Sequence, residues 1–314
     1  MSRYLAHRLS SMLLVLLGIS LLAFILGVIS PGDPVEIALS QGGIHAPTAE
    51  QIDAMRERLG LNDPLHIQYI RWLGGAVRGD LGVSYFTGRA VSTELARRLP
   101  VTLRLSAYSF ILACVIGFPL GILSAAYRGR LLDRCVKVFV NVLLSFPNFW
   151  LALLLILVMV EILGWLPSSG LGGPRHMIMP AITLSSAMAA GLARLMRSSL
   201  LAELGKQYFL AANARGLGRA SLLLRTAFPN AALPAVAMLG NFLGGILGGS
   251  VVVETMFALP GIGSYAIEAI AVRDYPALQG YVLLIGFVFV IVTFAVDVIS
   301  ALLDPRIRLG GRPA

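Results

Sequence analysis

Charge is scarce in this chain. Of its 314 residues, 13% are Asp, Glu, Lys or Arg, whereas a soluble globular domain carries about 25%. Cysteine is almost missing: Cys114 and Cys135 stand far apart, in or beside apolar segments, and read as buried unpaired thiols rather than a disulfide framework. Histidine is scarce too, and none of His7, His45, His66 and His176 falls near the middle of an apolar run. An intramembrane hydrolase needs a nucleophile with a base in reach. Neither Ser198-Ser199 nor Gly18-Ile19-Ser20 has such a histidine. HExxH, Walker-type GxxxxGK[ST] and CxxC patterns are all absent. The chain therefore reads as a non-enzyme with no metal site, and with no means of its own to bind ATP by a Walker motif.

Apolar residues are what is there. They make up 57% of the chain, and the mean hydropathy is +0.82, the composition of an all-α polytopic membrane protein. Met12 to Ile29 is a first apolar run, long enough to cross a core of ~30 Å with modest tilt or thinning. It is long for a signal peptide, and Ser30-Pro31-Gly32-Asp33-Pro34 offers no small-x-small cleavage site, so an uncleaved span is expected. Five more runs follow, near Leu99–Tyr127, Val136–Glu161, Met177–Leu200, Ala231–Val253 and Leu278–Leu303. Six spans place both termini on one side.

Residues 31–98 contain no spanning run. Thr48-Ala49-Glu50-Gln51 fits a capping box opening a short helix through Arg58, ended at Leu59-Gly60. A second short helix is expected over Leu65–Val77, then a turn at Arg78-Gly79-Asp80-Leu81-Gly82. The expected order is residues 1–30 (cytoplasmic N-terminus and span one), 31–98 (a helical extracytoplasmic subdomain), 99–304 (spans two to six) and 305–314 (a cytoplasmic tail).

The net charge of +9 raises nucleic acid as a partner. The basic residues are spread over short loops without an aromatic-basic platform, so none is expected. Their distribution instead sets orientation. With the N-terminus inside, the inner side holds Arg3, Arg8, Arg128, Arg130, Arg134, Lys137, Arg194, Arg197, Lys206, Arg215, Arg219, Arg225, Arg306, Arg308 and Arg312. The two short outer loops hold only Arg175 and Arg273. Basic short loops stay cytoplasmic, so both termini are expected in the cytoplasm. Attraction of this inner face to anionic membrane lipid is also expected.

Ionisable groups cluster at span ends: Glu161, Arg194, Arg197 and Glu254, with Asp297 and Asp304 seven apart on one face. Snorkelling and loop ion pairs account for them better than a proton relay does. Span five carries Gly240, Gly244 and Gly248 on one stripe, with Gly245 and Gly249 beside it. Small residues four apart let membrane helices approach closely. The stripe packs within the chain, or against a second membrane subunit, or walls a narrow path.

The longest basic interruption is Tyr208–Pro234, YFLAANARGLGRASLLLRTAFPNAALP. Its alanines favour helix, Gly216 and Gly218 interrupt it, and Pro229 and Pro234 bracket the start of the next span. A helix, a turn and a second helix on the inner face are expected, shaped to touch another protein.

Long motifs carry a resemblance. The N-terminal stretch RYLAHRLSSMLLVLLGISLLAFILGVISPGDP is followed by LGLNDPLHIQYIRWL, RGDLGVSY, FPNFW, GWLPSSG, MPAITL, GGSVVVETMFALPGIGSYAIEAIAVRDYPALQGYVLL and DVISALLDPRIR. In this order they resemble the permease subunits of binding-protein-dependent ABC importers, in the dipeptide/oligopeptide/nickel branch, over nearly the whole chain. The resemblance implies a type I ABC importer permease fold, an inner-membrane location, and no cofactor on this chain, with ATP and Mg on partner subunits. It implies as partners a homologous, non-identical second permease, two cytoplasmic ABC ATPase subunits and an extracytoplasmic substrate-binding protein.

The loop 205–234 resembles the family's EAA loop, which docks coupling helices into an ATPase cleft. Ala212, Arg215, Gly216, Asn230 and Pro234 match the branch's pattern, Arg215 standing where lysine is common. Thr226 and Pro229 depart from it, where histidine and arginine are frequent. Gly216 suits a coupling turn, and equally an ordinary helix C-cap. Glu254, Pro260, Gly261 and Asp274 are the motif residues assigned to the outer face. A short peptide is the leading substrate. Nickel or a small metal chelate is the alternative, since His176, Met177 and Met179 could offer soft ligands at the start of span four. A secondary transporter is the alternative of another class; it would show inverted repeats and broken midplane helices.

Overall fold

Backbone groups in a bilayer have no water to pair with, so an apolar chain of this kind satisfies them internally as helices. The computed structural model describes residues 2–29, 35, 39, 47–209, 218 and 221–303. These are helical apart from connecting turns and one isolated antiparallel bridge between Val83 and Ala90. The helices are α1 Ser2–Ile29, α2 Ala49–Leu59, α3 Leu65–Val77, α4 Val91–Ala126, α5 Leu131–Ser145 and α6 Asn148–Ile156, which passes into a π-helical turn at Leu157–Ile162. Then come α7 Pro174–Leu204, a π-helical turn at Leu222–Ala227 running into α8 Phe228–Met256, α9 Ile262–Ala271 and α10 Tyr275–Leu303. Among the described residues, five helices are long and apolar enough to cross a membrane, or six if α5 with α6 makes one span.

That sixth span departs from expectation. The run Val136–Glu161 read as one helix. It is instead two helices, bent by 102° between Ser145 and Asn148. Pro147 supplies no N–H and pushes the residue before it out of the helical region. Phe146 accordingly sits at φ −83°, ψ 123°, and Pro147 at φ −60°, ψ 141°. The second span also starts earlier than expected, at Val91 rather than Leu99. Pro229 and Pro234 do not bracket span five: Pro229 lies in the first turn of α8 and Pro234 inside it. Helical backbone runs through both, as membrane helices tolerate where neighbouring segments and local π-helical adjustment re-satisfy the freed groups. The π-helical turn stands immediately ahead.

The residues divide into two compact units. One comprises 1–101 and 260–290, the other 102–259 and 291–314. In the first, Thr48 and Gln51 form the capping box foreseen for α2, with Thr48 N–H donating to Gln51 Oε1 at 3.0 Å. Gly60 closes α2 at φ 67°. The turn to α3 is held by Gln68, whose amide donates to Leu61 O and Asp63 O. Helix α3 leans on α1: Tyr69 and Ser20 share a hydrogen bond of 2.7 Å, and Phe24, Tyr69 and Trp72 form an aromatic cluster. A second core joins Val91 and Leu95 to Ile262, Tyr265, Ala269 and Ala277.

In the other unit α7 is the central helix, with more than half of its residues buried. It packs against α8, α5 and α6. Small residues allow this: a methyl on Gly117 or Gly121 would come within 2.9 or 2.7 Å of a carbonyl of α7, so α4 crosses α7 at glycine contact. Leu192, Met196 and Leu200 of α7 meet Leu223, Ala227, Ala231 and Ala235 in one apolar core.

Candidate functional site

The basic loop is anchored at its base. Glu203, in the last turn of α7, is buried, and its carboxylate accepts from Lys206 Nζ and from Tyr208 Oη. Asn230 Nδ2 donates to Tyr208 Oη at 3.4 Å. The start of the loop and the first turn of α8 are thus tied across 22 residues. Burial, and then the Glu203 carboxylate, push the Tyr208 phenol up. Of the five matching residues, Asn230 therefore has a place in this clasp, and Pro234 is exposed on α8. Ala212, Arg215 and Gly216 lie outside the described residues, as does the expected helix and turn that contain them. Thr226 lies in the π-helical turn.

A second tie lies near the same end of α7, and the sequence reading passed over it. Asp133, in the first turn of α5, is 1% exposed. Arg197 Nε donates to its Oδ1 at 2.9 Å and Nη2 to its Oδ2 at 3.1 Å. Ser124 Oγ donates to Oδ1 at 2.6 Å and Gly129 N–H to Oδ2 at 2.9 Å. The carboxylate thereby fastens the α4–α5 turn to α7 with four hydrogen bonds, the arrangement a buried charge requires. The one sequence signal for it is a lone acid within the otherwise basic stretch Arg128–Lys137. Of the two explanations offered for the span-end charges, Arg197 takes the ion pair rather than snorkelling.

Glu254 does not snorkel either. It lies in the last turn of α8 yet has no exposed surface, and Thr102 Oγ1 donates to it at 2.6 Å. The glycine stripe beside it is split. A methyl on Gly240 would stand 2.1 Å from Val296 Cγ1, so this position packs within the chain. Around Gly245 and Gly248 no atom lies within 4 Å of such a methyl among the described residues. Gly244 and Gly249 lie in the same helix.

The remaining outer-motif residues belong to the first unit. Gly261 precedes α9, a helix the sequence reading did not foresee, with Pro260 exposed beside it. Asp274, 3% exposed, stands at the foot of α10. Its carboxylate accepts from Ser84 Oγ and from Tyr85 N–H (3.0 Å), pinning the Val83–Ala90 turn. Arg98 lies 4.7 Å over the Tyr265 ring and pairs with Glu268 at 3.1 Å. Burial, then the Asp274 and Glu94 carboxylates, push the Tyr265 phenol up to about 12. These charges are spent on one another, which suits a rigid surface more than catalysis. Among the described residues no three of His, Cys, Asp and Glu gather as metal ligands. Met177 and Met179 are buried in α7.

Comparison with known proteins agrees with this helical, transport-like architecture. Residues 117–309 match the family model for the binding-protein-dependent transport system inner membrane component. Residues 1–106 match the model for the N-terminal part of such membrane components. The glutathione transport system permease protein GsiC of Escherichia coli O6:H1 is 37% identical over 310 residues, covering 98% of this chain and 99% of the relative. The GsiC proteins of Salmonella paratyphi A and Escherichia coli K12 are 37% and 36% identical over the same length. Among solved structures, a chain of the MetNI methionine ABC transporter in inward-facing conformations matches with a TM-score of 0.57 at 24% identity, over 67% of this chain and 96% of that one; this likeness concerns the fold alone. On these matches the chain belongs to the family of inner membrane components of binding-protein-dependent transport systems.

Proposed function

We propose that the chain is one of two non-identical permease subunits through which short peptides enter the cell, a tripeptide of the glutathione type foremost among them. The family is that of ABC importer permeases, multi-pass inner-membrane subunits that leave ATP hydrolysis to partner ATPases and receive substrate from a binding protein. The peptide assignment rests on one observation: similarity to a glutathione permease runs through 98% of this chain and 99% of that protein.

In this reading both termini are cytoplasmic, and the loop 205–234 offers Ala212, Arg215, Gly216, Asn230 and Pro234 to the ATPase. Closure of the ATPase pair on ATP drives the permeases only so far as ATP binds one conformation better than the other. The Glu203–Tyr208–Asn230 clasp supports the reading, because a force-bearing loop needs a rigid base. The test is uptake of labelled glutathione, dipeptides and Ni2+ by cells with and without this subunit. Loss of glutathione or dipeptide uptake on deletion is expected. Unchanged peptide uptake with loss of Ni2+ uptake would overturn the assignment.

A further inference from the structure

Between α5 and α7 lies a cavity of about 230 Å3, lined by Ser124, Lys137, Asn141, Arg194, Arg197 and Ser198 with apolar walls from Val136, Val140 and Ala193. We propose that it holds the phosphate headgroup of an anionic phospholipid of the cytoplasmic leaflet; the choice of leaflet rests on the orientation given above. Three cations line the cavity and one carboxylate, Asp133, lies beneath them, which leaves an excess of two positive charges. Asp133 is engaged chiefly by Arg197, while Lys137 stands farther off, at 3.6 Å. Arg194 is exposed and makes no ion pair among the described residues, and the exposed Asn141 side chain has no hydrogen bond among them.

The site is thus built in two layers. A buried pair fixes the guanidinium of Arg197 and the helix spacing, and above it Arg194, Lys137 and Asn141 keep donors in reserve. Phosphate oxygens accept from such a mixed set of charged and amide donors. The cavity is smaller than the ~300–1,000 Å3 of sites that enclose whole small molecules, so it takes a headgroup, not a complete solute. The apolar walls and the exposed Val138, Phe139 and Val142 of α5 place hydrocarbon-compatible surface beside the cations. A free phosphate ion gains nothing from that surface, whereas acyl chains do. Basic pockets between membrane helices on the cytoplasmic side take lipid headgroups for this reason.

The test uses the assembled transporter, purified with its partners, in nanodiscs of phosphatidylcholine with or without phosphatidylglycerol. Phosphatidylglycerol retained after exchange is counted by mass spectrometry. The double variant Lys137→Gln, Arg194→Gln should hold it about thirtyfold less well, two cations being withdrawn from an anionic headgroup. Arg134→Gln, an exposed cation of the same helix outside the cavity, should retain it as the unaltered protein does. Equal loss in Arg134→Gln would reduce the effect to general surface attraction and overturn the site. Displacement by millimolar inorganic phosphate would make it a free-anion site and overturn the lipid assignment. Loss of the partner permease from the double variant would mark a protein contact and overturn it as well. Peptide uptake, which reads the proposed function, is measured separately and does not enter these outcomes.

Discussion

At the scale of the residue, Asp133 shows how one charge organises a membrane bundle. It sits 1% exposed with four hydrogen bonds, so removing it strands Arg197 beside an apolar core. Asp133→Ala should destabilise the chain by about 2 kcal/mol, less than deletion of one partner of a fully buried pair costs, because Arg197 keeps part of its surface open. Adding Arg197→Ala should cost less than the sum of the two single changes, because the second no longer breaks a pair. Thermal midpoints in detergent read both effects, and an unchanged midpoint for Asp133→Ala would remove the pair from the account of stability. Glu254 and Asp274 repeat the pattern: each is buried, and each accepts a hydroxyl from another segment of its own unit, Thr102 and Ser84 respectively.

At the scale of the element, α8 divides its glycines between two tasks. Gly240 meets Val296 at a distance that excludes a methyl, whereas Gly245 and Gly248 face open space. Gly240→Leu should lower expression and the thermal midpoint of the chain on its own. Gly248→Leu should leave that midpoint unchanged, and should weaken co-purification of the second permease if this face packs against it. Equal behaviour of the two variants in both assays would refute the division. Helix α5 with α6 teaches a related lesson. Their apolar character was legible, but the 102° bend is the work of one imino acid, Pro147, and its effect on Phe146.

At the scale of the whole molecule, the inferred coupling runs from the ATPase through the loop to the spans. Gly216→Trp should leave membrane insertion close to normal while reducing uptake about tenfold or more, since a large side chain on the inferred docking surface hinders close approach of the ATPase. Vesicle uptake with pull-down of the ATPase checks this, and normal uptake would remove Gly216 from the coupling surface. Much of this scale was readable beforehand. The apolar runs, the Thr48–Gln51 capping box, helix α3 to the residue, and the family itself all follow from local pattern and motif order. Helix α9 was missed because its ten residues lie inside a motif read as a loop, between Pro260 and Asp274.

By itself the sequence determined what depends on neighbours along the chain: helices, caps, spans and the charge bias of the short loops. Only the tertiary structure decided what each charge and glycine is for. Asp133 and Arg197 are 64 residues apart, Ser84 and Asp274 190 apart; no periodicity links such pairs. Gly240 and Gly248 share one stripe, and only the position of Val296 tells them apart. The reason is physical: a buried charge or a bare backbone takes its meaning from whatever packs against it, and packing brings together residues that the chain holds far apart.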